Sequence, residues 1–300
     1  MIMKLAIAGA GGRMGRELAR IVNDTPGCVL AGGLEAKGSA YVGMDYGTLF
    51  GVPNLGVKIS DNAASLMPIV DGIIDFTVPS ATLELVKHTA EHGKVHIIGT
   101  TGIDAAGEAT IAWGAQRTRV VKSGNYSLGV NILQGIVQKV AAVLGDDFDI
   151  EVLEMHHKHK IDAPSGTALM LGKAAADGRG DQQSGLRRDA LVQPGDAGPQ
   201  RARPRFARHP PRRVLLGAVA DGRQVNLQAK SVRSRDGHTG ARKAGDIGFA
   251  TLRGGAVIGE HTVMFSSDSE RIELTHKAQS REMFARGAVR AALWAQSQKP

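Results

Sequence analysis

Cysteine is nearly absent: Cys28 stands alone in 300 residues, so the chain cannot close a disulfide on itself. A single thiol in an apolar run reads as a plain core residue and suits a reducing cytoplasm. Aromatic residues make up only 4% of the chain, too few to build stacking platforms for single-stranded nucleic acid. No apolar run approaches the roughly 18 residues that a membrane helix needs. The apolar start, Met1 to Ala8, is too short for a signal peptide and runs straight into glycines.

The formal net charge of +8 invites a nucleic-acid reading, but its distribution argues against one. Nine Arg against four Asp in Asp181–Gln224 account for +5 and leave +3 for the rest, which is ordinary for a metabolic enzyme. That segment contains one aromatic residue, Phe206, and no structured basic face is legible in it. The expected partner is a small molecule, with neither nucleic acid nor membrane.

Glycine, by contrast, is abundant, with 39 residues that foretell tight turns and close backbone approaches. The first third alternates strand and helix signals. Strands are expected at Lys4–Ala8, Cys28–Gly32, Ile73–Phe76, Lys94–Ile98 and Arg119–Lys122, and helices at Met14–Asn23, Ser80–His92 and Ala105–Trp113. Such alternation implies an α/β, Rossmann-type, doubly wound parallel sheet. After about Asn125 the pattern becomes α+β. Helices are expected at Val130–Leu144 and Ser165–Ala176, with a strand at Phe148–Met155 between them. Asp246–Arg253, Ala256–Phe265 and Glu270–Thr275 read as an antiparallel meander, and Arg281–Gln296 as a final helix.

This places residues 1–126 in a dinucleotide-binding domain, with 277–300 packing back on it, and 127–276 in a substrate-binding and oligomerisation domain. Residues 181–224 interrupt the second domain. The segment is rich in Pro, Arg, Gly and Gln, and Ala-Asp-Gly-Arg brackets it at 176–179 and 220–223. It reads as an inserted loop, because a structureless stretch that long is uncommon within a compact domain.

Gly9-Ala-Gly-Gly-Arg-Met-Gly15 follows the first strand and opens the first helix. A pyrophosphate rests on a helix N-terminus only where the turn is tight and no side chain blocks the amides. The spacing is Gly9-x-x-Gly12-x-x-Gly15, since Met14 occupies the last place of the commoner G-x-G-x-x-G pattern. Glu35, 26 residues after Gly9, follows the second strand where an acid accepts hydrogen bonds from the adenosine ribose. Glu35 disfavours a 2′-phosphate, whereas Arg13 and Lys37 attract one. Phe76-Thr77, Gly99–Gly102 and Ser123–Tyr126 fall at expected strand ends and are candidate walls for the nicotinamide.

The most informative stretch is Glu154-Met-His-His-Lys-His-Lys160-Ile-Asp-Ala-Pro-Ser-Gly-Thr-Ala168. Five consecutive basic or imidazole side chains repel one another unless an anion is near. Ser165 or Thr167 then lies near a helix N-cap, whose free amides at Gly166 and Thr167 make a carboxylate-sized anion site. Metal ligation by His156, His157 and His159 is disfavoured, because lysines stand between them and no Cys or acid cluster completes a site. No metal is expected.

This signature resembles that of the 4-hydroxy-tetrahydrodipicolinate reductase (dihydrodipicolinate reductase) family of the bacterial diaminopimelate–lysine pathway. The resemblance extends over Ala8–Gly15, Ile74–Thr77, Gly99–Gly102, Asn125–Asn131, Gly237–Gly240 and Ile247–Ala250. It implies reduction of a cyclic, dicarboxylated imine derivative by NADH or NADPH, with loss of water. Carried over by position, it implies His156 as general acid/base and Lys160 as proton donor or transition-state stabiliser. His157 and the amides of Gly166 and Thr167 hold substrate carboxylate. Gly9, Ala10, Gly11, Gly12, Arg13, Met14, Glu35, Gly99, Thr100, Thr101, Ser123, Gly124, Asn125 and Tyr126 line the cofactor. The family is typically a homotetramer through the sheet of its second domain.

Three features depart from the family pattern. Residues 181–224 have no counterpart, Ala36 replaces the frequent Arg after the ribose-binding acid, and the sequence stops at Pro300 where a short Gly-Leu-Tyr-type segment is usual. Two other readings stay open at this level. One is a non-catalytic NAD(P)-binding regulator, and the other a different NAD(P)-dependent dehydrogenase sharing only the first domain.

Overall fold

The computed structural model of the chain describes residues 2–181 and 235–299. Six parallel strands form the first sheet: β1 (Met3–Ala8), β2 (Cys28–Leu34), β3 (Ile59–Ser60), β4 (Gly72–Asp75), β5 (Val95–Ile98) and β6 (Val120–Lys122). Their order is β3-β2-β1-β4-β5-β6. Strands β4 and β5 are buried on both faces, which is why Gly-Ile-Ile-Asp and Val-His-Ile-Ile carry no alternation. The order reverses between β1 and β4, and the crevice beyond that pair is where such sheets take ligands.

Helices α1 (Arg13–Asp24), α4 (Pro79–Glu91) and α5 (Ala105–Ala115) stand close to their expected spans. Two short helices, α2 (Tyr46–Phe50) and α3 (Ala63–Leu66), and the two-residue β3 were not expected. Elements of two to five residues are too short for a 2.0 or 3.6 period to register.

The second half contributes α6 (Leu128–Val143), β7 (Asp149–His156), α7 (Gly166–Asp181), β8 (Ile247–Arg253), β9 (Glu260–Ser266), β10 (Arg271–Lys277) and α8 (Glu282–Gln296). The sheet order β10-β9-β7-β8 corrects the expected meander. Only β9 and β10 form a hairpin; β8 lies on the far side of β7 and runs parallel to it, from Ile150↔Ile247 to His156↔Arg253. Strand β7 buries Ile150, Val152, Glu154 and His156 on one face and takes an interior place in the sheet. Strand β7 lies between β8 and β9, so Gly254-Gly255 ends β8 without folding it onto β9.

Helices α6 and α7 press Leu133, Val137, Leu171 and Ala175 against Val152, Val263 and Phe265 of this sheet. Helix α8 returns to the first sheet, where Ala285, Ala288, Val289, Ala292 and Ala295 join Leu18, Val22 and Ile97 in one core. The small alanine face lets α8 approach closely, in keeping with dense interior packing. Of the segment read as an insertion, 181–224, all but Asp181 lies outside the described residues.

Candidate active site

The glycine loop has the backbone that a pyrophosphate cradle requires. Gly9 adopts φ +72°, a left-handed conformation that an L side chain rarely takes. At Gly15 a Cβ would stand 2.0 Å from the Gly9 carbonyl oxygen, so α1 can start this close to the loop only with glycine there. Gly12 sits at the N-cap of α1 and no side chain caps the helix, which leaves its first amides available to an anion. The cradle fits a dinucleotide pyrophosphate.

The expected cofactor residues divide by exposure. Gly12 and Arg13 are exposed, whereas Ala10 and Gly11 are buried, and the Met14 side chain packs on the hydrophobic core. The Glu35 carboxylate accepts hydrogen bonds from Gly11 N at 2.7 Å and Ala36 N at 3.3 Å, so it already reaches the glycine loop. Tyr41, which sequence reasoning missed, lies over Gly11. Its hydroxyl accepts from Arg16 at 3.1 Å, while Arg16 Nε donates to the Gly11 carbonyl. No local pattern announces Tyr41, because its placement depends on how the loop after β2 folds back.

At the strand ends, Gly99 is half-buried, Thr101 is exposed, and the Thr100 hydroxyl is buried in a bond from Thr82 at 2.7 Å. Ser123 Oγ donates to the Asn125 carbonyl, and Gly124 is exposed. Tyr126 is buried; its hydroxyl is shared between the carbonyls of Ile98 and Val121, and burial pushes it well above the usual phenol range. It buttresses β5 and β6 from beneath. Asn125 links the two halves: Nδ2 donates to Thr167 Oγ1 at 3.0 Å and Oδ1 accepts from Ser127 N at 2.7 Å.

The basic cluster begins at the end of β7. His156 Nδ1 meets Glu154 Oε2 at 2.5 Å, because residues i and i+2 of a strand share a face. Glu154, 1% exposed, also accepts from both terminal nitrogens of Arg253, at 2.8 and 2.9 Å, and from Ser165 N at 3.0 Å. Burial pushes the Glu154 carboxyl up, but Arg253 and His156 outweigh it and hold it below the usual carboxylate range. Burial likewise pushes His156 down; Glu154 opposes this, Lys160 and Arg253 add to it, and the net direction is downward.

Lys160 is not bare, since its ammonium contacts both carboxylate oxygens of Asp162 at 2.7 and 2.8 Å. Arg253 in turn donates to the Asp162 carbonyl at 2.6 Å, so one arginine braces Glu154 and the Lys160 turn together. His157 is half-buried and its ring lies 6.3 Å from that of His159. Partial burial and the positive charges of Arg281, Arg13, His159 and Lys160 hold its imidazole below the ordinary value. Arg13 of the glycine loop is thus near enough for its charge to act on His157 of the basic cluster.

Ser165, rather than Thr167, caps α7: its Oγ accepts from Ala168 N at 3.2 Å. Exposed Gly166 and buried Thr167 follow, and their amides meet no acceptor among the described residues. Ser165 Oγ also contacts Nε2 of buried His261 at 3.1 Å. His261 packs edge-on to His156 at 5.1 Å between ring centroids, and burial followed by the His156 charge pushes it down to about 4. The Glu154–His156 pairing was not expected, because the expected strand ends at Met155 whereas β7 runs on to His156. Neither were Arg253 and His261, because they come from β8 and β9.

Known proteins match both halves of the chain. The family profile described as dihydrodipicolinate reductase, N-terminus, matches residues 3–126, and that described as dihydrodipicolinate reductase, C-terminus, matches 129–300. The likeness is thus not confined to the first domain. A relative from Rhodopseudomonas palustris (strain BisB18), named 4-hydroxy-tetrahydrodipicolinate reductase, is 52% identical over 298 residues, covering 99% of this chain and 94% of its own. One of the same name from Parvibaculum lavamentivorans is 45% identical over 299 residues, covering 99% and 94%. Among solved structures, a dipicolinate-bound dihydrodipicolinate reductase from Paenisporosarcina sp. TG-14 shares the fold, with a TM-score of 0.66 at 21% identity over 99% of this chain and 95% of that one. With both halves matched and half the residues identical to such relatives, the chain belongs to the dihydrodipicolinate reductase family.

Proposed function

We infer that the chain is an NAD(P)H-dependent oxidoreductase that reduces 4-hydroxy-tetrahydrodipicolinate to tetrahydrodipicolinate, with loss of water, in diaminopimelate and lysine biosynthesis. The observation that carries this reading is the run His156–Lys160, in which His157 feels the positive charges of Arg281, Arg13 and Lys160, followed at the start of α7 by Gly166 and Thr167 amides that meet no acceptor among the described residues. Such a concentration of cationic and amide groups matches a small dicarboxylate and no neutral substrate.

Gly9–Arg13, Glu35, Gly99–Thr101 and Ser123–Asn125 hold NADH or NADPH, whose bound nicotinamide supplies the hydride. His157, Gly166 and Thr167 hold substrate carboxylate. Hydride addition to an electron-poor ring leaves negative charge that a proton must quench. His156 delivers that proton from Nε2, since Nδ1 is committed to Glu154. The pocket alone disfavours a charged imidazole here, and a bound dicarboxylate reverses that preference by adding negative charge beside it. Lys160 is the second donor and stabilises the developing charge.

The enzyme is cytoplasmic and a homotetramer in this reading. Helices α6 and α7 cover one face of the second sheet, while half-buried Leu153, Met155 and Met264 line the other, available to further copies. Light scattering checks the assembly; a monodisperse monomer contradicts it. The activity is tested by following NADH consumption with substrate generated from pyruvate and aspartate semialdehyde. NADH that binds without substrate-dependent oxidation identifies a non-catalytic regulator instead.

A further inference from the structure

A fully buried aspartate–histidine pair lies in the first sheet and takes no part in the chemistry above. Asp75, the last residue of β4, and His96, in β5, are each 0% exposed, with Oδ2 and Nε2 3.4 Å apart. On its other side His96 Nδ1 lies 3.2 Å from the Thr89 hydroxyl of α4, so the imidazole sits between two oxygens and, among the described residues, is hydrogen-bonded on the Thr89 side alone. Their strand neighbours are Ile73, Ile74, Ile97 and Ile98, all buried and apolar.

The pair does not end in the core. Asp75 Oδ1 accepts from Thr77 N at 2.9 Å and from Thr77 Oγ1 at 2.6 Å. Thr77 N also donates to Thr100 Oγ1 at 3.2 Å, and Thr82 Oγ1 donates to the same oxygen at 2.7 Å. One carboxylate thus ties together the chain segments that leave β4 and β5, both candidate walls of the dinucleotide site. Burial pushes the Asp75 carboxyl up, but His96 and the hydroxyls of Thr77 and Thr82 outweigh it and keep it below the usual carboxylate range.

Packing alone gives no reason for this arrangement. A buried carboxylate facing an imidazole carries a desolvation cost that an apolar pair of equal volume avoids, so such an arrangement is a poor source of stability. What the pair supplies is a directed, charge-assisted hold on the Thr77 peptide, which an isoleucine cannot give.

We propose that Asp75 and His96 are positioning residues for the cofactor, fixing the Thr77 and Thr100 strand ends at the height and angle the nicotinamide half of NAD(P)H requires. The proposal rests on the reading of these strand ends as cofactor walls. Removing the imidazole leaves Asp75 buried and unpaired, and its hold on Thr77 loosens. The effect falls on cofactor affinity and not on proton transfer, because His156 ends β7 of the other sheet and Lys160 lies in the turn that follows it.

The test measures NADH affinity directly, by fluorescence titration of the full-length protein without substrate, alongside steady-state kinetics. His96→Met, close in volume, raises the NADH Kd and KM about tenfold, which is about 1.4 kcal/mol. It leaves the KM for the dicarboxylate unchanged and kcat at saturating NADH within about threefold. Thr82→Val, which removes one hydroxyl from the same network and leaves both Asp75 and His96 in place, raises the NADH Kd by about threefold and serves if His96→Met does not fold. Unaltered NADH Kd in the folded variants, with only a lower Tm, overturns the proposal and makes the pair a packing feature. Failure of the wild type to consume NADH with substrate overturns the catalytic reading instead, and the binding titration still decides the positioning role.

Discussion

Glu154→Gln is the sharpest probe of how the site is tuned. The substitution conserves shape but removes the charge that receives His156 Nδ1 at 2.5 Å and both Arg253 nitrogens. A hydrogen bond to a charged partner contributes about 1.5–3 kcal/mol, and about 1.4 kcal/mol corresponds to a factor of ten. Loss of the His156 contact alone therefore lowers kcat at neutral pH by about 10- to 100-fold. Glu154 is the group that opposes the lowering of His156 by burial and nearby cations. Without it the imidazole falls further below its ordinary value, so the limb of the kcat profile on which activity declines with rising pH moves to lower pH. Part of the activity returns on mild acidification. Stability falls too, by about 2 kcal/mol once the partial exposure of Arg253 is allowed for, because that guanidinium loses its buried partner. The assay is kcat against pH at saturating NADH and substrate, with urea unfolding in parallel. A profile with unchanged midpoint and plateau refutes the coupling of Glu154 to His156, whatever happens to stability.

Other expectations follow from the same geometry. His156→Gln lowers kcat by roughly 10²–10³ with NADH affinity unchanged, and Lys160→Ala costs a similar factor; the double variant loses less than the product, since both serve one step, and full multiplicativity in the cycle argues for separate steps. NADH is favoured over NADPH by less than about tenfold, and Ala36→Arg, at an exposed position beside Glu35, shifts kcat/KM toward NADPH; a wild type strongly selective for NADPH contradicts this view of the pocket. Acid destabilises the fold through His261: its folded value of about 4 lies below an unfolded value of about 6.5, so over that window the unfolded chain binds the extra proton and stability falls with falling pH. Between about pH 7 and about pH 5 the loss is roughly 2 kcal/mol by urea unfolding, and His261→Asn flattens it; an equally steep decline in that variant assigns the acid sensitivity elsewhere.

Much of this protein is written locally. The glycine loop, the continuous apolar runs of the parallel strands and the helix start after Pro164 are set by neighbours within a few residues, so periodicity and turn chemistry reveal them. The Glu154–His156 pairing is local as well, because a strand returns every second side chain to the same face, but it shows only once β7 is seen to reach His156. The clustering of His156, His157 and Lys160 at the close of β7 belongs to the same class, and so does the family signature built on it.

Strand pairing is of another kind. Whether β8 lies beside β7 or beside β9 is a choice among edges that look alike in sequence, and the buried face of β7 settles it only when the whole sheet closes. That choice carries Arg253 across 99 residues to Glu154, and β9 brings His261 across 96 residues to Ser165. Tyr41 against Gly11, Asn125 against Thr167, and Asp75 against His96 arise in the same way, from contacts between segments that no window of sequence contains. Local preference thus marks the longer elements and the chemical groups at their ends, whereas which charge faces which depends on packing partners distant in the chain.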